Sequence, residues 1–267
     1  MNLSVSNIAW TKADDENIYK NMSKYRFSFL EIAPSEIAGS DAYTKEGIKK
    51  SKDYLNYVFE KYGICICSMQ SILYGISYRL FYDDREREKL FEELKKAVFY
   101  ASSINCKNLV FGSPKNRVIK DKISQYDIAV QFFKKIADYA RKNEVCISME
   151  ANPKIYNTNF INTTKEAKKL VDDVNSSSFK INYDLGTVIY NEENINYLNK
   201  IIQDVNHIHI SEPFLENIEK RKIHKELYEI LRNTNYNKCV SIEMKKSDGI
   251  YNLINAIKYV SEVFEIN

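Results

Sequence analysis

The sequence predicts an α/β protein, a single (β/α)8 TIM barrel over residues 1–267, and three observations carry that reading. Short apolar runs rich in β-branched residues recur eight times, and longer stretches of helical period separate them. No glycine-rich phosphate turn follows an early strand, which speaks against the rival open, doubly wound sheet. Eight units in 267 residues average about 33 residues (267/8), the size of one βα repeat in a closed barrel.

The expected strands are 3–8, 27–32, 64–68, 108–111, 145–150, 179–184, 205–210 and 239–243. Each is short and apolar enough to be buried on both faces, as parallel strands under a helix layer must be. The expected helices are 14–24, 43–62, 87–104, 124–141, 163–175, 191–203, 219–232 and 250–264. In 87–104, Leu90, Leu94, Ala97, Val98, Ala101 and Ile104 form one face, with Glu88, Lys89, Glu92, Lys95 and Lys96 turned to water. Ile128, Phe132, Ile136, Ala137 and Ala140 do the same in 124–141. Thr163 followed by Glu166 reads as a helix N-terminus. No internal linker interrupts the pattern, so one domain is expected.

Composition narrows the function. Hydrophobic residues at 44%, with 7 Gly and 4 Pro, exclude a disordered chain. The net charge of +3 comes from 39 basic and 36 acidic residues mixed along the chain. Basic pairs such as Lys134 and Lys135 sit on helical patterns that also carry acids, so no nucleic-acid footprint is expected. The cysteines Cys65, Cys67, Cys106, Cys146 and Cys239 are odd in number and form no C-x-x-C pair. They read as small buried hydrophobes in a reducing compartment. With no basic leader and no long apolar span, neither secretion nor membrane insertion is expected, and a cytoplasmic location is the default.

Four strands end in side chains able to bind metal: Glu150, Asp184, His209 and Glu243. Strand side chains alternate, so Ser241, Glu243 and Lys245 share one face of the last strand, and Val240, Ile242 and Met244 the other. His207 and His209 likewise share a face opposite Ile208 and Ile210. The small and polar sets suit the barrel mouth, where catalytic groups of such barrels sit. Separations of 34, 25 and 34 residues place the four on strands five to eight, neighbours around half of the rim. Three carboxylates converging there repel unless protonated or neutralised by a cation. Three oxygens and an imidazole suit one divalent ion, Mn²⁺, Mg²⁺, Co²⁺ or Zn²⁺.

At these residues the chain resembles the xylose isomerase-like superfamily, in particular its sugar phosphate isomerase/epimerase group. The stretches that carry the resemblance begin at Gln70 (QSILYG), Leu109 (LVFGSPKNR), Glu150 (EANP), His207 (HIHISEP) and Ser241 (SIEMK). It implies one metal held by Glu150, Asp184, His209 and Glu243. It also implies that Glu150 and Glu243 double as catalytic acid/base groups on opposite faces of a sugar or sugar phosphate. Relatives are often dimers or tetramers, so a homo-oligomer is one option.

Three features set the chain apart. Many relatives carry a substrate-binding His where this chain has Thr187. Ketohexose epimerases carry an Arg where Pro213, Phe214 and Leu215 follow Glu212. Only His207, His209 and His224 are present, too few for the trinuclear zinc site of the abasic-site endonucleases.

The remaining expectations concern substrate binding. Gln70 and Asn152 are candidates for sugar hydroxyls, and His207 and Glu212 for further substrate contacts. Arg117 and Lys245 are candidates for a phosphate or carboxylate, with Lys115 pointing to solvent. His224 is expected to cap a helix at the surface. The function that follows is metal-dependent isomerisation or epimerisation by proton abstraction next to a carbonyl. The alternatives are a dehydratase of a cyclic polyol ketone and a non-catalytic or regulatory sugar-binding barrel.

Overall fold

Eight parallel strands pair in chain order and close through β1 against β8, in a computed structural model that describes residues 1–120, 122–247 and 249–265. Residues 266–267 of the expected domain lie outside the described residues. The strands are β1 (Asn2–Ser6), β2 (Phe29–Ile32), β3 (Cys65–Met69), β4 (Asn108–Phe111), β5 (Cys146–Glu150), β6 (Phe179–Asp184), β7 (Val205–Ile210) and β8 (Cys239–Ile242). Each expected strand is found, within two residues at either end.

The helices are α1 (Asp15–Lys24), α2 (Pro34–Ala38), α3 (Lys45–Tyr62), α4 (Asp84–Ser103), α5 (Lys122–Lys142), α6 (Thr164–Val174), α7 (Leu185–Tyr190), α8 (Leu198–Ile201), α9 (Lys222–Asn233) and α10 (Tyr251–Val263). Local chemistry sets their ends. Thr163 and Glu166 form a reciprocal capping box on α6. Thr44 caps α3, and Gly63 ends it at φ 67°, a left-handed position that glycine takes without strain. The helix expected at 191–203 is instead broken. The Asp184 side chain caps α7 early, and the chain then runs through 3₁₀ turns on either side of α8.

Outward-facing strand residues, among them Ile147, Met149, Ile181, Tyr183, Ile208, Val240 and Ile242, are buried against the helix stripes. Each such side chain contributes roughly 1.5–3 kcal/mol. The barrel interior is polar by contrast. Asn108 Nδ2 donates to Ser68 Oγ (2.8 Å), while Asn108 Oδ1 accepts from Ser148 Oγ (2.5 Å) and from Asn206 Nδ2 (2.7 Å). Asn206 reaches inward because the β6–β7 register slips between Ile181 and Asn182. A matching slip between Leu30 and Glu31 adds Cys67 to β3. Such bulges re-aim the side chains that follow, here Glu31, His207 and His209.

All five cysteines are free, and Cys65 is exposed rather than buried, since it opens β3 at the barrel's lower edge. Among the described residues, no helix is long and apolar enough to cross a membrane.

Candidate metal centre and active-site cavity

The strand ends bring Glu150, Asp184, His209 and Glu243 to one point, with one ligand atom from each within 4.8 Å of the others. His209 Nδ1 stands 3.1 Å from Glu150 Oε1 and 3.1 Å from Glu243 Oε2. Asp184 closes the group from the end of β6, where it also caps α7. Its Oδ2 accepts from Thr187 N (2.7 Å) and lies 2.8 Å from Thr187 Oγ1, and its Oδ1 accepts from Ser211 Oγ. Thr187 therefore supports the aspartate and leaves the quartet intact.

Glu150 is held at both of its oxygens. Asn182 Nδ2 donates to Oε1 (2.7 Å) and Asn152 Nδ2 to Oε2 (2.8 Å). Gly112 makes the room, because a Cβ there would stand 2.6 Å from Glu150 Oε2. Glu243 sits just past β8 and is anchored through its backbone N–H to Ile210 O (2.9 Å). Among the described residues, His209 Nδ1 at 3.1 Å is the only polar partner of its carboxylate.

This difference in support separates the two glutamates electrostatically. Burial opposes the charge on Glu150, but His209, Asn152 and Arg117 outweigh it and hold its pKa below the usual value. Burial, with the charges of Glu150 and Asp184, pushes Glu243 up to about 7 against the pull of His209. Burial and the Glu150 charge also raise Asp184. His209 is held well above its ordinary value: burial works against the charge, and the surrounding carboxylates, Glu243 first, overcome it. A buried site with three acids around one imidazole calls for positive charge. Its hard oxygens and single nitrogen fit a divalent cation.

The three carboxylates of the quartet, Glu150, Asp184 and Glu243, line a cavity of about 620 Å³, with His209 buried behind them. Glu150, Asp184, Glu212 and Glu243 line one side; Leu73, Tyr74, Ile76, Val110, Pro114 and Lys115 line the other. A cavity of about 590 Å³ between α4 and α5 lies in the helix layer, away from the strand ends.

The expected substrate residues divide. Gln70 and Asn152 line the cavity, yet both amides already serve protein groups: Gln70 Nε2 donates to Ser6 Oγ (2.8 Å) and Glu31 Oε2 (3.3 Å). Glu212 also lines it and is ion-paired to Arg221 at 2.8 Å, nine residues farther along the same loop. His207 is inside the barrel but one layer too deep. It bonds Ser241 Oγ (2.8 Å) and is absent from the cavity wall.

Three expectations are corrected, those for Arg117, Lys245 and His224. Arg117 cannot grip an anion, because it is fully buried with all five N–H donors directed at protein acceptors. These are Gly112 O (2.7 Å), Phe160 O, Ile161 O (3.1 Å), Glu150 O (3.0 Å) and Asn152 Oδ1 (2.5 Å). Lys245 is exposed and ion-paired with Glu216, because β8 ends at Ile242 and the alternation that placed Lys245 inward stops with it. Lys115, expected in solvent, is exposed but also lines the cavity rim, with no ion-pair partner among the described residues. His224 is buried on α9, with Nδ1 at 3.1 Å from Tyr259 OH, rather than capping at the surface.

One residue of the centre escaped the sequence reading. Glu31, fully buried on β2, lies 3.1 Å from His209 Nε2 and 3.2 Å from His207 Nε2. The available signal was an acid within the otherwise apolar run from Phe29 to Ala33. A carboxylate buried on a barrel strand must have donors.

Solved structures with the same fold include three informative ones. The 3-keto-D-glucoside 4-epimerase of E. coli is similar at 14% identity and a TM-score of 0.77, covering 98% of this chain and 99% of its own. D-psicose 3-epimerase of Clostridium cellulolyticum H10, solved with D-tagatose, is similar at 17% identity and a TM-score of 0.73, covering 100% of this chain and 96% of its own. The IOLI protein, solved with a zinc atom, is similar at 16% identity and a TM-score of 0.71, covering 98% of this chain and 96% of its own. No curated protein sequence matches the chain. The family model described as xylose isomerase-like TIM barrel matches residues 21–264, and the chain belongs to that family.

Proposed function

We propose that this protein is a divalent-metal-dependent sugar isomerase or epimerase that moves a proton on the carbon next to a carbonyl. The observation that carries the reading is the convergence of Glu150, Asp184, His209 and Glu243 at one point, with Glu150, Asp184 and Glu243 lining the cavity above it. The epimerases among the similar structures and the zinc atom in the IOLI structure support it.

Glu150, Asp184, His209 and Glu243 would hold the ion. When bound, a divalent ion supplies charge neutralisation and polarisation of a carbonyl oxygen. The chain's own residues do the rest. Glu150 and Glu243 approach the cavity from β5 and from the end of β8, and both reach His209 Nδ1 at 3.1 Å. One carboxylate takes the carbon-bound proton, and the C–H electron pair enters the new C=C bond of an enediolate. A carboxylate then returns a proton to carbon. Return from the opposite side inverts the centre; return to the neighbouring carbon, with the hydroxyl proton passing to the former carbonyl oxygen, isomerises the sugar. Asn152 and Asn182 keep Glu150 aimed throughout, while Leu73 and Ile76 give the facing wall an apolar surface.

The test uses Mn²⁺-loaded protein in D₂O with free ketoses (D-fructose, D-tagatose), their phosphates and 3-keto-glucosides. Mass spectrometry of recovered sugar should show deuterium bound to carbon for at least one class. No exchange and no product from any of the three overturns the reading.

A further inference from the structure

We propose that Glu31 is a positioning residue: it fixes the His209 ring so that the Nδ1 lone pair faces the metal cage. The inference rests on the metal-site reading above and extends it to a residue outside the ligand quartet.

Glu31 has no exposed surface, and its oxygens face three nitrogens. His209 Nε2 lies 3.1 Å away, His207 Nε2 3.2 Å and Gln70 Nε2 3.3 Å. A carboxylate only accepts, so each nitrogen pointing at it carries hydrogen. Nδ1 faces carboxylates as well, 3.1 Å from both Glu150 and Glu243, so when a cation takes the place of hydrogen between them, the hydrogen kept on Nε2 by Glu31 leaves the lone pair at Nδ1. The opposite tautomer would set the Nε2 lone pair against the Glu31 oxygens. Ser241 Oγ, 2.8 Å from His207 Nε2, keeps the second ring in place beside the first. Gln70, on the cavity wall, ties Glu31 to Ser6. A carboxylate bonded to the far nitrogen of a metal-binding histidine raises its basicity and fixes its direction, and losing such a partner usually weakens metal binding roughly 10–100-fold.

Three histidines in the chain make a histidine-selective ¹⁵N sample readable. With Zn²⁺ bound, wild type should show His209 protonated at Nε2 and not at Nδ1. A spectrum with hydrogen on Nδ1 overturns the proposal without touching the metal site. Failure of wild type to take up zinc overturns the site and the proposal together. Glu31→Gln, nearly isosteric, should keep its circular dichroism and lose about 10–100-fold in Zn²⁺ affinity by chelator competition. Unchanged affinity in the folded variant overturns the proposal. Glu31, His207 and His209 are also close enough to hold an ion themselves. Two zinc ions per wild-type chain would put a metal where we place hydrogens, and would overturn it too.

Discussion

Around the barrel mouth, the arc from β5 to β8 presents ionisable side chains held in place by other side chains, whereas the arc after β3 and β4 presents Leu73, Tyr74, Ile76, Val110 and Pro114. On the first arc each acid has a fixed address: Asn152 and Asn182 on Glu150, Thr187 and Ser211 on Asp184, His209 on Glu243. On the second arc Tyr74 is 78% exposed and Lys115 has no ion-pair partner among the described residues. Stiff charge on one side and open apolar surface on the other divide the work. Under the proposed function, the first arc suits chemistry, which needs fixed geometry, and the second suits recognition of whatever group the substrate carries.

The largest expected effect lies on the charged arc. Glu150→Gln and Glu243→Gln should each lower kcat by at least ~10²-fold, the scale of a general acid–base group. Their metal content should differ. Both oxygens of Glu150 accept amide N–H groups, so a glutamine there sets N–H against N–H whichever way it turns. Glu243 has no amide donor of that kind, and its variant should retain metal better. Equal retention, measured by elemental analysis, would break the distinction drawn between the two.

The next effect is on pH. A cation can bind only after Glu243, raised to about 7, and His209, raised well above its ordinary value, have released their protons. Affinity should therefore rise with pH, and be roughly tenfold or more weaker at pH 6 than at pH 8. Calorimetry in two buffers of different ionisation heat should register the released protons. An affinity flat across that range contradicts the electrostatic account.

How much of this was legible in the sequence follows the same division. The quartet and the eight strands could be read because alternation and strand ends are local properties of the chain. His207 was correctly placed inside, but two residues along a strand is roughly 6–7 Å of depth, enough to take it below the cavity. Lys245 failed because facing cannot be extrapolated past the last strand residue, Ile242. Arg117 failed for a different reason: the carbonyls of Phe160 and Ile161 that hold it come from a loop more than forty residues away. Glu31 was hidden by distance too, its histidine partners lying 176 and 178 positions along the chain (207 − 31; 209 − 31).

Smaller effects belong to the open arc. Tyr74→Ala should raise KM about fivefold for a sugar bearing an apolar substituent, the worth of roughly 1 kcal/mol of buried ring, with kcat unchanged. A fall in kcat with no change in KM would move Tyr74 into the chemistry. Lys115→Ala should raise KM only about two- to fivefold, and for phosphorylated sugars alone, because an exposed charge pair is screened. An equal rise for neutral sugars would show that Lys115 acts by contact rather than charge.

The most direct test of the account is the metal content of the protein. After loading with Mn²⁺ and removal of free ion, wild type should hold one ion per chain and Asp184→Ala close to none, with both folded by circular dichroism. Equal occupancy in the two proteins, or none in wild type, contradicts a metal centre at Glu150, Asp184, His209 and Glu243.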